Sequence, residues 1–324
     1  MIDELIEKAK QISHNKQGSN SVCFCFGDYI LLYGSIDRNN IDRKINIINS
    51  YIERGFNIAP TLEYKYDENS KISTYANGDS YQKGWTMQSR AKGKELERNV
   101  SDMLYISSLD KFNEQYLAIK EAKQKYIDLL TAQTDIDEVH LRKFITDYQT
   151  ILEEGILQVD PSKASNFFYD ANKGFTFIDI GINQPPYEKS NQYSYLPKHI
   201  FWNVFPQLPP LNIRESGVTN TDSVFLTIPL TEEEFEVIHR IQQKLGNTIL
   251  QIFLDLGWDE ETIKEVMDDK FISRDKEDIY PDEQTLYKAL ADKFSRIVAN
   301  NRANGQISNQ SAGKNVEDDF TIET

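Results

Sequence analysis

The sequence predicts an α+β protein of two segregated lobes, a β-rich N-terminal third and a mainly helical remainder. Three observations predict it. The chain has 324 residues, more than one small core needs, at about 100–200 residues per domain. Period-two apolar runs bounded by Gly, Asn and Asp crowd the first hundred residues, the pattern of half-buried strands and tight turns. Beyond residue 110, apolar residues recur every three or four positions over long stretches, the pattern of helices with one buried face.

The elements follow in order. Ile2, Leu5, Ile6, Ala9 and Ile12 share one helical face. Gly18-Ser19-Asn20-Ser21 reads as a loop. Val22–Phe26 and Tyr29–Tyr33 read as strands joined through Gly27-Asp28, a hairpin signal because both turn residues tolerate positive φ. Ile41, Ile45, Ile48 and Ile52 space a helix that Gly55 ends as a C′ glycine. Thr61–Tyr66 and Trp85–Arg90 read as strands, with a Gly78-Asp79 turn between them. Residues 91–96 read as a connector. Helices are expected over Phe112–Ala132 and Glu138–Glu154, the second stopped by Gly155. Short strands follow at Ile156–Val159, Phe167–Tyr169 and Phe175–Ile178, then a helix at Leu196–Phe205. Thr231-Glu232-Glu233-Glu234 is a capping box opening helical sequence through Leu256. Glu261–Met267 and Glu283–Ala299 close the helical part. The expected division is a β-rich lobe over 1–95, a helical lobe over 96–299 and a disordered, Asn/Gly/Gln/Ser-rich tail over 300–324.

Composition narrows the function. The formal charge of −15 argues against a nucleic-acid binder, since phosphate backbones select Lys and Arg surfaces. Cys23 and Cys25 alternate on one strand face, a poor geometry for a disulfide, and read as small buried hydrophobes. With His14, His140, His199 and His239 scattered along the chain, they build no metal framework. The N-terminus lacks a signal-peptide core and no run reaches the ~18 apolar residues of a membrane span. A soluble, cytoplasmic protein that engages no membrane is expected.

Gln158 to Gly181 carries the chemistry. Asp160 follows a short apolar strand, and Asn166 enters the next strand six residues on. Asp170 to Gly174 turns the chain, and a third strand delivers Asp179 at its end, with Gly181 behind it. A loop plus hairpin would gather Asp160, Asn166 and Asp179 at one end, and the functional reading depends on that local structure. Mg2+ takes hard oxygen donors, which Asn166 and Asp179 would supply. Asp160 would orient an attacking hydroxyl or accept its proton, and Lys163 would reach a phosphate oxygen. Asp170 and Asn172 read as turn residues.

The segment resembles the catalytic loop and Asp-Phe-Gly-like element of protein kinases and aminoglycoside phosphotransferases: Asp, several residues, Asn, a hairpin, then Asp-x-Gly. The resemblance implies a two-lobed kinase-like fold, ATP and Mg2+ as nucleotide and metal, and transfer of the γ-phosphate to a hydroxyl on a protein or small-molecule acceptor. It implies Asp160 as catalytic aspartate, and Asn166 and Asp179 as metal ligands. Gly18, Ser19, Asn20 and Ser21 look like a degenerate phosphate loop, Ile41–Gly55 like the small-lobe helix, and Gly84–Leu96 like the last small-lobe strand and hinge. Several positions depart from the pattern. Asn166 stands six, not five, residues after Asp160, and Gln158 stands where His is usual. Tyr29-Ile30-Leu31-Leu32-Tyr33 has no lysine for the phosphates. The helix offers Lys44 and Asn46 near the place of the partner glutamate. Lys44, Lys65 and Lys83 are the candidate replacement cations. No Ala-Pro-Glu follows; Tyr195-Leu196-Pro197 would close a shorter segment. The aromatics Tyr187, Tyr193, Tyr195, Phe201, Trp202 and Phe205 read as packing or as a substrate-facing or partner-facing wall. The loss of the Lys–Glu pair keeps a pseudokinase, binding nucleotide or partner without transfer, as the alternative. An interaction protein with an accidental likeness is the third reading.

Overall fold

Alternation and turn chemistry build the N-terminal sheet. The computed structural model describes residues 4–8, 22–75, 78–96, 103–160, 166–215 and 223–312. Strands β1 (Val22–Phe26) and β2 (Tyr29–Asp37) pair antiparallel around Gly27, whose φ of 56° suits the tight turn. With β3 (Thr61–Tyr66), β4 (Ile72–Thr74) and β5 (Ser80–Ser89) they form a five-stranded sheet ordered β1-β2-β5-β3, with β4 also on β5. Val22, Phe24, Tyr33 and Trp85 pack together on one face. Cys23 and Cys25 share the other face, as alternation requires, but both are exposed. Their expected burial is therefore corrected: β1 has a strand on one side only, and its apolar contacts lie on the Val22–Phe24 face.

Helix α1 (Ile41–Glu53) buries Ile41 and Ile48 of the predicted isoleucine stripe together with Tyr51, while Ile45 and Ile52 are half-buried. Residues 94–95 are not a bare connector: they form β6 (Lys94–Glu95), which pairs with β9 (Phe167–Asp170). Far along the chain, α3 (Glu138–Glu154) lies against β8 (Leu157–Gln158) and β10 (Gly174–Phe177). Its N-terminus is capped by the Asp137 carboxylate and its C-terminus closes on Gly155 with φ 62°. β11 (Gly181–Ile182) pairs with β8, and α4 (Leu196–Val204) follows.

These elements, residues 1–96 and 136–203, form one compact unit; residues 97–135 and 204–324 form another. The chain thus enters the second unit, returns, and leaves again. In the second unit β7 (Leu104–Ile106), β12 (Leu211–Ile213) and β13 (Val224–Leu226) make a small mixed sheet. Its core joins Ile106 and Ile213 to Ile119 of α2 (Phe112–Gln133) and to Leu286, Leu290 and Phe294 of α7 (Glu283–Ala312). Helix α5 (Glu232–Asp255) starts at the predicted Thr231/Glu234 capping box. The Glu234 carboxylate also accepts from the buried Lys123 ammonium at 2.7 Å, so burial does not strand that charge. Helix α6 (Glu260–Lys270) and the bridge of β14 (Leu230–Thr231) with β15 (Ile279–Tyr280) complete the unit. α7 runs on to Ala312, past Asn300 where the sequence pattern ends the helix. Among the described residues no helix is long and apolar enough to cross a membrane.

Candidate active site

The expected hairpin is present; residues 161–165 of the loop before it lie outside the described residues. Antiparallel β9 and β10 pair Phe167 with Phe177 and turn at Asp170, whose carboxylate accepts from Asn172 N and Lys173 N at 2.9 and 3.1 Å, the Asx geometry read from the sequence. The ladder closes with Ile178 N donating to Asn166 O at 2.9 Å. Asn166 and Asp179 therefore leave the hairpin at the same end. The Asn166 amide, 4% exposed, donates to the Asp160 backbone oxygen at 3.4 Å. Gly181 pairs with Gln158, so Asp160, two residues after Gln158, and Asp179, two before Gly181, enter the same end of the unit. Asp179 has φ 53°, the sole positive φ of a non-glycine among the described residues. That conformation costs about 1–3 kcal/mol and concentrates at functional positions.

The frame beneath is aromatic. Phe144 of α3 stacks on Phe175 at 4.3 Å and 17°, and meets Phe167 and Phe177 at 5.2 and 5.4 Å. Tyr148 packs on the same pair. Burial, and next the Asp160 carboxylate, raise the Tyr148 phenol well above its ordinary pKa.

Between the inner face of the sheet and Asp179 lie two adjoining cavities of about 350 and 550 Å3, in the range of small-molecule sites. They share Leu32, Lys44, Thr61, Gln88 and Asp179 as walls. Lys44 enters from α1. Burial lowers its ammonium pKa, opposed first by the Asp179 carboxylate and then by Asp37.

Helix α1 is held at both ends. Near its N-terminus, Arg43 donates to Asn183 O and Gln184 Oε1, both at 2.8 Å, and to the Tyr187 hydroxyl. At its C-terminus, Arg54 and Tyr51 donate to Glu154 at the end of α3. Next to it, Asn57 Nδ2 donates to Phe175 O at 2.8 Å, and Phe177 N donates to Asn57 O at 2.9 Å. The turn after α1 is thereby stitched to the strand that delivers Asp179.

The fold thus brings Asp160, Asn166 and Asp179 together. Lys163 and Gly18, Ser19, Asn20 and Ser21 lie outside the described residues. Among the described residues no three His, Cys, Asp or Glu side chains cluster as a metal cage; the Asp179 carboxylate and the Asn166 amide are the hard oxygen donors that a Mg2+ ion would take. Of the aromatics, Phe201 and Phe205 are core, whereas Tyr187 and Tyr195 are exposed. Sequence reading left Lys44 as one of three cations and passed over Arg43. The available signal was position: Lys44 stands three after Ile41 and four before Ile48, on the buried stripe of its own helix.

No protein-family profile and no curated protein matches the chain. Among the solved structures similar to it are the following two. A co-crystal structure of WbdD with a kinase inhibitor matches at 12% identity and TM-score 0.28, over 84% of this chain and 49% of that one. An amicoumacin kinase, hAmiN, in complex with AMP-PNP, Ca2+ and Ami matches at 12% identity and TM-score 0.24, over 85% of this chain and 98% of that one. The chain spans about half the length of the WbdD chain. What is plain in the fold is a mixed α+β chain with a β-rich N-terminal region and a helical C-terminal region.

Proposed function

We propose that the chain is an ATP- and Mg2+-dependent phosphotransferase that moves the γ-phosphate to a hydroxyl on a protein or small-molecule acceptor. The observation that carries this reading is the gathering of Asp160, Asn166 and Asp179 at the open end of one hairpin, beside a cavity walled by Asp179 and Lys44. Asn166 and Asp179 would hold the metal, which when bound neutralises phosphate charge. Asp160 would orient the acceptor hydroxyl and take its proton as the oxygen attacks the γ-phosphorus. The bond from that phosphorus to the bridging oxygen breaks, and ADP leaves with the electron pair. Positioning and charge neutralisation supply most of the rate in such transfers, which suits a site built on a rigid aromatic block.

A test is thermal unfolding with ATP, with and without Mg2+, alongside ADP release with an acceptor panel. At a hundredfold excess over Kd, the nucleotide should add about 2.7 kcal/mol of stability. Asp179→Ala should lose the Mg2+-dependent part. Asp160→Asn should keep it and turn over at least ~100-fold more slowly. A wild-type protein unmoved by millimolar Mg·ATP would overturn the reading. The absence of lysine from β2, Tyr29–Asp37, favours a second reading, a pseudokinase: nucleotide binding with no transfer to any acceptor would select it.

A further inference from the structure

We propose that Lys44, on helix α1, is the residue that grips the nucleotide's phosphates, taking from a helix the task that β2 has no side chain to perform. The inference rests on the phosphotransferase reading and adds to it a ligand-binding residue and its chemical target. Lysines on the buried stripe of a helix are rare, because desolvating an ammonium is costly unless an anion meets it. Lys44 occupies such a stripe and lines both cavities. The charged groups facing it are Asp179 and Asp37. With a cation held by Asp179, that carboxylate would be shared, and the ammonium would need a further anion. The oxygens of a bound phosphate would meet that need.

The competing cations are turned away. Lys83 on β5 walls neither cavity. Lys65 on β3 is exposed and walls neither cavity. Arg43, the neighbour of Lys44, is spent on Asn183, Gln184 and Tyr187. Because that clasp and the Arg54–Glu154 pair fix both ends of α1, the stem of Lys44 starts from a held position.

Calorimetric titration of the full chain with adenosine, Mg·ADP and Mg·AMP-PNP separates a phosphate ligand from a structural lysine. Lys44→Ala, and Lys44→Met as a variant that keeps the stem volume, should weaken Mg·AMP-PNP by about 10- to 100-fold, the range of a lost charge-assisted bond. Adenosine should bind both variants as it binds wild type, and Lys44→Arg should recover part of the loss. Unchanged Mg·AMP-PNP affinity in both variants, or an equal loss for adenosine, would overturn the assignment while leaving the phosphotransferase reading standing. Wild type that binds no phosphorylated nucleotide would overturn both.

Discussion

At the scale of one residue, Asp179 combines a left-handed backbone with a place on the cavity wall. An acid after the apolar run Phe175–Ile178 is visible in sequence; its left-handed backbone is not, because φ is set by the β10-to-β11 turn and by the pairing of Gly181 with Gln158. Glu154 is the converse case, a carboxylate whose role is structural. The Arg54 guanidinium, and then the Tyr51 hydroxyl, hold its pKa below the ordinary value. A depressed carboxylate contributes stability above its unfolded pKa and loses it as pH falls through the folded one. Glu154→Gln should therefore cost ~1 kcal/mol at neutral pH. The difference from wild type should shrink as pH falls below the ordinary 4.5, read by urea denaturation across pH. A constant difference at all pH would mean that packing, not charge, links the two helices.

At the scale of elements, glycines mark where the chain must pass close to itself. Gly155 ends α3 with φ 62°, and a Cβ there would lie 1.7 Å from Glu188 O. Gly27 has a similar φ of 56° with open space around it. Gly155→Ala should thus destabilise by at least ~2 kcal/mol, and Gly27→Ala by about 1 kcal/mol, the backbone cost alone. Equal midpoint shifts would show that the Glu188 segment moves aside freely. The sequence shows Gly155 as a helix stop but not the strand of chain lying against it, 33 positions on. Short strands were missed for the same reason. Leu104–Ile106, Leu211–Ile213 and Val224–Leu226 are three residues each, too short for alternation to register, and exist because partners from distant sequence meet them.

For the whole molecule, charge and connectivity dominate. The excess of acid, 51 Asp and Glu against 36 Lys and Arg, repels itself in any compact state. Raising NaCl from about 10 to about 200 mM shortens the Debye length from ~30 to below 10 Å and should raise the unfolding midpoint by a few degrees. A falling midpoint would instead mean that attractive pairs such as Arg54–Glu154 and Lys120–Glu283 outweigh the net repulsion. The sequence by itself determined the local grammar: the Gly27 hairpin, the isoleucine-striped α1, the capped α3 and α5, and a hairpin that delivers Asn166 and Asp179 to one end. Each depends on neighbours within a few turns or one tight loop, so periodicity and turn residues carry it. Only the tertiary structure decided the division of the chain into two compact units, the exposure of Cys23 and Cys25, the pairing of β6 with β9, and the placement of Lys44, rather than Lys65 or Lys83, on the cavity walls. Those depend on which faces meet across fifty or more residues, and a one-dimensional pattern does not encode that distance.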